Sequence, residues 1–166
     1  MNNKLKSKLK EIKIILTDVD GVLTDGGMYY SDDGDVMKKF HTRDGMGVTL
    51  LRKQNLPTII VTKEKTKIVK KWSSKMKIKK LYDGIIDKES VIEQICKNYS
   101  VTPSELAYIG DDVNDLVLLK KVGLSASPYD AISEAKKIVD YVCKTKGGCG
   151  AFREFADLIL DSRKKI

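Results

Sequence analysis

Short apolar runs alternate with longer amphipathic stretches along this chain. Residues 12–17, with the apolar run Ile14-Ile15-Leu16, the β-branched Thr58-Ile59-Ile60-Val61-Thr62, and Leu106-Ala107-Tyr108-Ile109 are short apolar segments. Such runs read as strands buried on both faces. Shorter strand-like pieces occur at Leu81-Tyr82, at residues 123–126 and at Tyr141-Val142-Cys143. The segments between them carry helical spacing. A helix after Thr42-Arg43-Asp44-Gly45 takes its apolar residues from Met46, Val48, Leu50 and Leu51. Others are expected at 64–77 (Ile68, Val69, Trp72, Met76), 88–99 (Val91, Ile92, Ile95), 114–121, 128–138 and 151–160. Residues 4–11 are polar and predict a fraying lead-in helix or coil. One stretch breaks the alternation. Residues 27–41 read as a β-hairpin, with Asp33-Gly34 as the turn signal.

Strands that alternate with helices predict an α/β fold, a Rossmann-like doubly wound parallel sheet with the hairpin as an insertion. With no linker, repeat or low-complexity tract, residues 1–166 read as a single domain. In such sheets the ligand lies beyond the carboxyl ends of the strands, at the topological switch point. Asp18, Thr62 and Asp111 all fall at strand ends of this kind.

Composition narrows the picture. The chain is 42% hydrophobic and 33% charged, as a soluble globular protein would be. No apolar run is long enough to span a bilayer, and the basic N-terminus lacks the apolar core of a signal peptide, so a cytoplasmic location is expected with no membrane partner. The three cysteines, Cys96, Cys143 and Cys149, are widely spaced and read as reduced thiols. The formal net charge is +8, with lysines densest at 4–13, 63–80 and 163–165. Aromatic residues do not interleave with them in the series that a nucleic-acid stacking platform needs, so a solvated surface is expected and nucleic acid is not.

The candidate chemistry starts where the first strand runs out, at Asp18-Val19-Asp20-Gly21. Side chains two apart on a strand face the same way, although a turn at Gly21 can redirect the second. Two carboxylates this close repel unless a cation or a shared proton relieves them, and a hard ion such as Mg²⁺ suits their oxygens. One could attack an electrophile while the other moves a proton. An Asp-rich loop that caps a helix would explain the same residues.

Four pieces then stand together: Asp18-Val19-Asp20-Gly21, Thr62 after its strand, Lys88 at the start of a helix, and Gly110-Asp111-Asp112-Val113-Asn114-Asp115. This set resembles the haloacid dehalogenase superfamily of phosphotransferases. Thr24-Asp25-Gly26, Phe40-His41-Thr42-Arg43-Asp44-Gly45, Asp87-Lys88 and the segment 147–154 resemble its small branch without a cap domain. That branch contains phosphatases of 3-deoxy-D-manno-octulosonate 8-phosphate and of nonulosonate (sialic-type) 9-phosphates. The resemblance spans about residues 10–160.

The resemblance implies Asp18 as nucleophile and Asp20 as general acid and base. Thr62 and Lys88 would hold phosphoryl oxygens. Mg²⁺ would be held by Asp18, the Asp20 backbone carbonyl and Asp111, with Asp112 and Asp115 behind them. His41 is expected to be a hairpin residue and not a base. The resemblance also implies a homotetramer in which hairpins associate and a neighbour borders each site, and a flexible flap at 147–150 that could bring Arg153 near the substrate.

A phosphorylated 2-keto-3-deoxy sugar acid is the expected substrate, with Arg43 a candidate for its carboxylate. The eight-carbon enzymes usually follow the strand-end residue with Gly-Arg, whereas this chain has Thr62-Lys63-Glu64-Lys65. Glu64 with Lys75 resembles the nonulosonate type, so the nine-carbon substrate is preferred and the octulosonate is the alternative. A third alternative is non-enzymatic, an assembly module like the domain that follows some sialic-acid activating enzymes.

Overall fold

The computed structural model describes residues 3–163. Lys164 and Lys165, the end of the lysine-rich stretch 163–165, lie outside them. The chain order is α1 (Asn3–Glu11), β1 (Ile14–Thr17), β2 (Tyr29–Ser31), β3 (Gly34–Met37), α2 (Thr42–Lys53), β4 (Thr58–Val61), α3 (Lys67–Met76) and β5 (Lys80–Tyr82). It continues with α4 (Ile92–Tyr99), β6 (Leu106–Ile109), α5 (Leu116–Lys121), β7 (Leu124–Ser127), α6 (Ser133–Ile138), β8 (Tyr141–Val142) and α7 (Ala151–Asp161).

Six strands form one sheet in the order β5-β4-β1-β6-β7-β8, and every pairing is parallel. Strand alternation divides the core. Ile15, Ile60, Ala107 and Ile109 face α1, α2, α3 and α7 through Leu9, Val48, Leu51, Val69, Phe152 and Phe155. Ile14, Leu16, Ile59, Val61 and Tyr108 face α4, α5 and α6 through Ile92, Ile95, Leu118, Leu119 and Ala135. Both faces are covered, which is why the strand sequences are apolar without alternation. The chain moves outward from β1 through β4 to β5, then returns across β1 to β6. The switch point therefore lies between β1 and β6, with Asp18 and Asp111 just past their carboxyl ends. The strands β2 and β3 form a separate antiparallel ribbon, the expected hairpin, which leaves Tyr29, Tyr30, Val36 and Met37 exposed.

Several boundaries differ from the sequence expectation. The first strand begins at Ile14, although Ile12 is buried in the lead-in. The lead-in is a docked helix, with Leu9 buried and Lys8 paired to Asp140 at 2.5 Å. Met46 is exposed, because α2 presents Gly45 and Gly47 to its neighbours together with Val48 and Leu51. Asp44 explains that face: its Oδ1 accepts the Arg153 backbone N–H at 2.8 Å, so α2 caps the start of α7. Pro128 opens a turn, closed by Ala131 N–H to the Pro128 carbonyl, and α6 starts later at Ser133. The three cysteines are free, as expected.

Lys77 ends α3 in the left-handed region at φ 57°. A side chain costs about 1–2 kcal/mol there, more than glycine loses in chain entropy. Lys77→Gly is expected to raise stability by roughly 0.5–1 kcal/mol, read as a higher urea midpoint at unchanged slope.

Candidate active site

The carboxyl edge of the sheet brings Asp18, Asp20, Thr62, Glu64, Asp111 and Asp112 around one cleft of about 260 Å³, together with Lys63, Val113 and Asn114. Asp18 leaves β1 with its backbone N–H bonded to the Ile109 carbonyl at 3.1 Å, which fixes it against β6. Thr62 is pinned between β4 and β5 by the Tyr82 carbonyl at 2.9 Å. Lys88 opens a short 3-10 turn (Lys88–Val91) ahead of α4, and its side chain runs beneath the cleft with 0% exposure.

The Lys88 ammonium lies 2.9 Å from Asp18 Oδ2 and 2.6 Å from Asp115 Oδ1. Asp115 is fully committed. Its Oδ1 also accepts the Tyr108 hydroxyl, and its Oδ2 accepts the backbone N–H groups of Asp111 at 2.8 Å and Asp112 at 3.1 Å. Asp115 therefore orients Lys88 and the Asp111 backbone at once. Tyr108, buried on β6 with its hydroxyl 3.5 Å from Lys88 Nζ, belongs to the same network and was missed in the sequence. Its apolar strand context reads as plain core. Asp112 caps the next turn through Val113 N–H at 2.7 Å, so helix capping accounts for it.

Asp18, Asp111 and Asp115 bring carboxylate oxygens within 4.8 Å of one another. Against one ammonium these three leave two negative charges, the charge of one divalent cation. Burial pushes the Asp111 carboxyl up to about 8, with Asp18 and Asp115 adding repulsion. Burial raises Asp18 as well, against the pull of Lys88. Burial works against the charge on Lys88, but Asp18 and Asp115 outweigh it and hold the ammonium above its ordinary value. Asp111 Oδ1 is buried without a hydrogen-bond partner. An orphaned hard oxygen in an over-negative cluster fits a divalent ion such as Mg²⁺. The expected carboxylates Asp18 and Asp111 lie together, with Asp115 as the third in the cluster and already engaged; the Asp20 side chain turns to Lys38, and its backbone carbonyl is the group that the resemblance assigns to the ion.

Gly21 makes the close approach possible. It sits at φ +86°, and a Cβ there would lie 2.0 Å from Asp111 Oδ2. The glycine segment 147–150 is seated and not free. Gly147 N–H bonds Asp130 at 2.9 Å, Gly148 N–H bonds the Val22 carbonyl at 2.9 Å, and a Cβ on Gly147 would strike the Gly21 carbonyl at 1.9 Å. It packs against the loop that follows Asp20. Arg153 pairs with Asp157 at 2.8 Å along α7, a helix-surface arrangement. His41 is the N-cap of α2. Among the expected substrate contacts only Glu64 lines the cleft. Arg43 lines a cavity with Gly150 and Arg153, and Lys75 lines another with Phe40 and Trp72.

The raised Asp111 has a definite sign. A carboxyl that the fold prefers protonated stabilises the metal-free protein at acid pH and loses that contribution as pH rises through about 8. A divalent ion must displace the proton, so its affinity rises with pH by up to about tenfold per unit for each proton released. The Mg²⁺-induced rise in Tm is expected to be larger at about pH 8.5 than at about pH 6. In Asp111→Asn it should vanish, while the EDTA-treated variant melts about 2–4 °C above the EDTA-treated parent at the higher pH.

Known proteins bear on this geometry. A haloacid dehalogenase-like hydrolase family profile matches residues 49–150. The chain is 38% identical to the 3-deoxy-D-manno-octulosonate 8-phosphate phosphatase KdsC of Haemophilus influenzae, over 97% of this chain and 89% of that protein. It is 34% identical to the Escherichia coli K12 protein of the same name, over 96% and 85%. The cobalt-bound H. influenzae phosphatase structure superposes with TM-score 0.92 over 94% of this chain and 91% of that one, at 38% identity. The Moraxella catarrhalis phosphatase, solved with magnesium, phosphate and the sugar acid, superposes with TM-score 0.93 over 98% and 93%, at 31% identity. In place of a cap this fold inserts only its hairpin between β1 and α2, and the chain belongs to the haloacid dehalogenase-like hydrolases, on their capless phosphatase branch.

Proposed function

We propose that this phosphatase hydrolyses 3-deoxy-D-manno-octulosonate 8-phosphate with Mg²⁺, through a phosphoryl group carried transiently by Asp18. The observation that carries the reading is Asp18 at the switch point of the sheet, 2.9 Å from a fully buried lysine. The relatives named above support the eight-carbon substrate over the nine-carbon one that Glu64 and Lys75 suggest in the sequence.

Asp18 attacks phosphorus as the bond to the sugar oxygen breaks, and Asp20 gives that oxygen its proton. Asp20 then takes a proton from water, which attacks the aspartyl-phosphate, frees inorganic phosphate and restores Asp18. Lys88 and Thr62 hold phosphoryl oxygens at the cleft floor, and Asp115 with Tyr108 keeps Lys88 aimed. Carboxylates of Asp18 and Asp111 and the Asp20 carbonyl would hold Mg²⁺, which when bound offsets charge on the phosphoryl oxygens. Arg43 and Lys75, which lie off their own chain's cleft, are assigned to the substrate at a neighbour's site in a homotetramer. The exposed apolar residues of the β2–β3 hairpin suit such an association. The assembly-only alternative falls with membership of a hydrolase family.

One observation favours a second substrate: Glu64 lines the cleft and suits sugar hydroxyls of a nonulosonate 9-phosphate. Phosphate release from the two sugar-acid phosphates, measured in parallel with Mg²⁺, separates them. Preference for the eight-carbon ester with Glu64→Ala unaffected is the expected outcome. Preference for the nine-carbon ester, lost in Glu64→Ala, would transfer the assignment. Asp18→Asn should lose turnover by about 10⁴-fold or more. Tyr108→Phe should lower kcat by about tenfold while the fold is kept.

A further inference from the structure

A buried lysine outside the motifs quoted above reaches the site. Lys38 follows β3 at the base of the hairpin, and its Nζ lies 2.6 Å from Asp20 Oδ1 with the side chain only 4% exposed. Thr24 Oγ1 donates to the same oxygen at 3.2 Å. Asp20 Oδ2 is buried and has no hydrogen-bond partner. Lys39, the next residue, points the other way. It pairs with Asp25 at 2.7 Å and is 56% exposed, as alternation along an extended segment requires. Thr24 and Phe40 also form a bridge between the two segments. The hairpin base is thus held to the loop after β1 by Lys39 and by this bridge, without Lys38. Burying the Lys38 ammonium carries a desolvation cost that attachment alone does not call for.

Resting on the phosphatase mechanism proposed above, we infer that Lys38 is the positioning residue of Asp20. With Thr24 it occupies Oδ1, so that Oδ2 is the oxygen that passes the proton to the leaving group and later takes one from water. The hairpin is then part of the acid–base apparatus as well as a surface feature, because its return arm carries the group that sets the Asp20 rotamer.

The test exploits leaving groups. A positioned acid matters most when the departing oxygen is a poor leaving group, and little for a nitrophenolate. The value of kcat/KM is compared for 4-nitrophenyl phosphate, phenyl phosphate and the sugar-acid phosphate in the parent, Lys38→Met, Lys38→Arg, Lys39→Met and Asp20→Asn. Ratios between substrates within one preparation are independent of how much of it is folded. If Lys38→Met yields no folded protein, Lys38→Arg carries the comparison. The expected result is a fall of about tenfold or more in the alkyl-to-aryl ratio for Lys38→Met, in the direction of Asp20→Asn, a smaller fall for Lys38→Arg, and none for Lys39→Met. An equal loss on all three esters would reduce Lys38 to scaffold. A rise in the ratio would mean that its charge opposes the acid. Either overturns the inference. If Asp20→Asn itself leaves the ratio unchanged, the underlying mechanism fails, and the inference with it.

Discussion

The Lys88 ammonium, held between Asp18 and Asp115 under the carboxyl edge of the sheet, is the constraint on which the site depends. A lysine with no exposed surface is costly unless its charge is matched, and here two carboxylates match it. The same pairing fixes what surrounds it. Asp115 uses its remaining capacity on Tyr108 and on two backbone N–H groups, which sets the turn that presents Asp111. Local charge, strand ends and turn geometry are therefore solved together and not in sequence.

One lysine does not neutralise the cluster. The surplus negative charge, with an orphaned Asp111 oxygen and a carboxyl pushed up to about 8, is a site poised for a divalent ion. Membership of the haloacid dehalogenase-like hydrolases agrees with that charge balance. Phosphoryl transfer asks for little covalent work from a protein and much from fixed charge, so an arrangement dominated by charge balance suits the reaction.

The glycine-rich segment braces the loop after β1 through its backbone. Gly147 and Gly148 pack directly against the backbone at Gly21, Thr24 and Asp25, where no side chain would fit. The hairpin base grips the same loop through Lys38, Lys39 and the Thr24–Phe40 bridge. The segment carrying Asp20 is held by two separate parts of the chain.

Much of this was legible in the chain. Short apolar runs, too short for helices, read as strands covered on both faces, and their alternation with amphipathic helices leaves a doubly wound parallel sheet as the simple solution. Asp18, Thr62 and Asp111 then had to meet at one edge, because strand ends in such a sheet converge. Lys88 and Asp115 were found through the resemblance, since a lone lysine or aspartate has no local pattern. Other features needed the tertiary structure. Tyr108 reads as core and Lys38 as one more surface lysine, because burial and partner choice are set by residues distant in sequence. Met46 fits the helical period but points to solvent, since glycines at 45 and 47 bring the neighbouring helices closer. Arg43 and Lys75 flank Asp44-Gly45 and Trp72 in the sequence, yet helix packing turns them into cavities away from their own cleft. Periodicity determined the elements and the edge at which chemistry gathers. Which charges pair there was decided by the close packing of turns, where a shift of one ångström changes a partner.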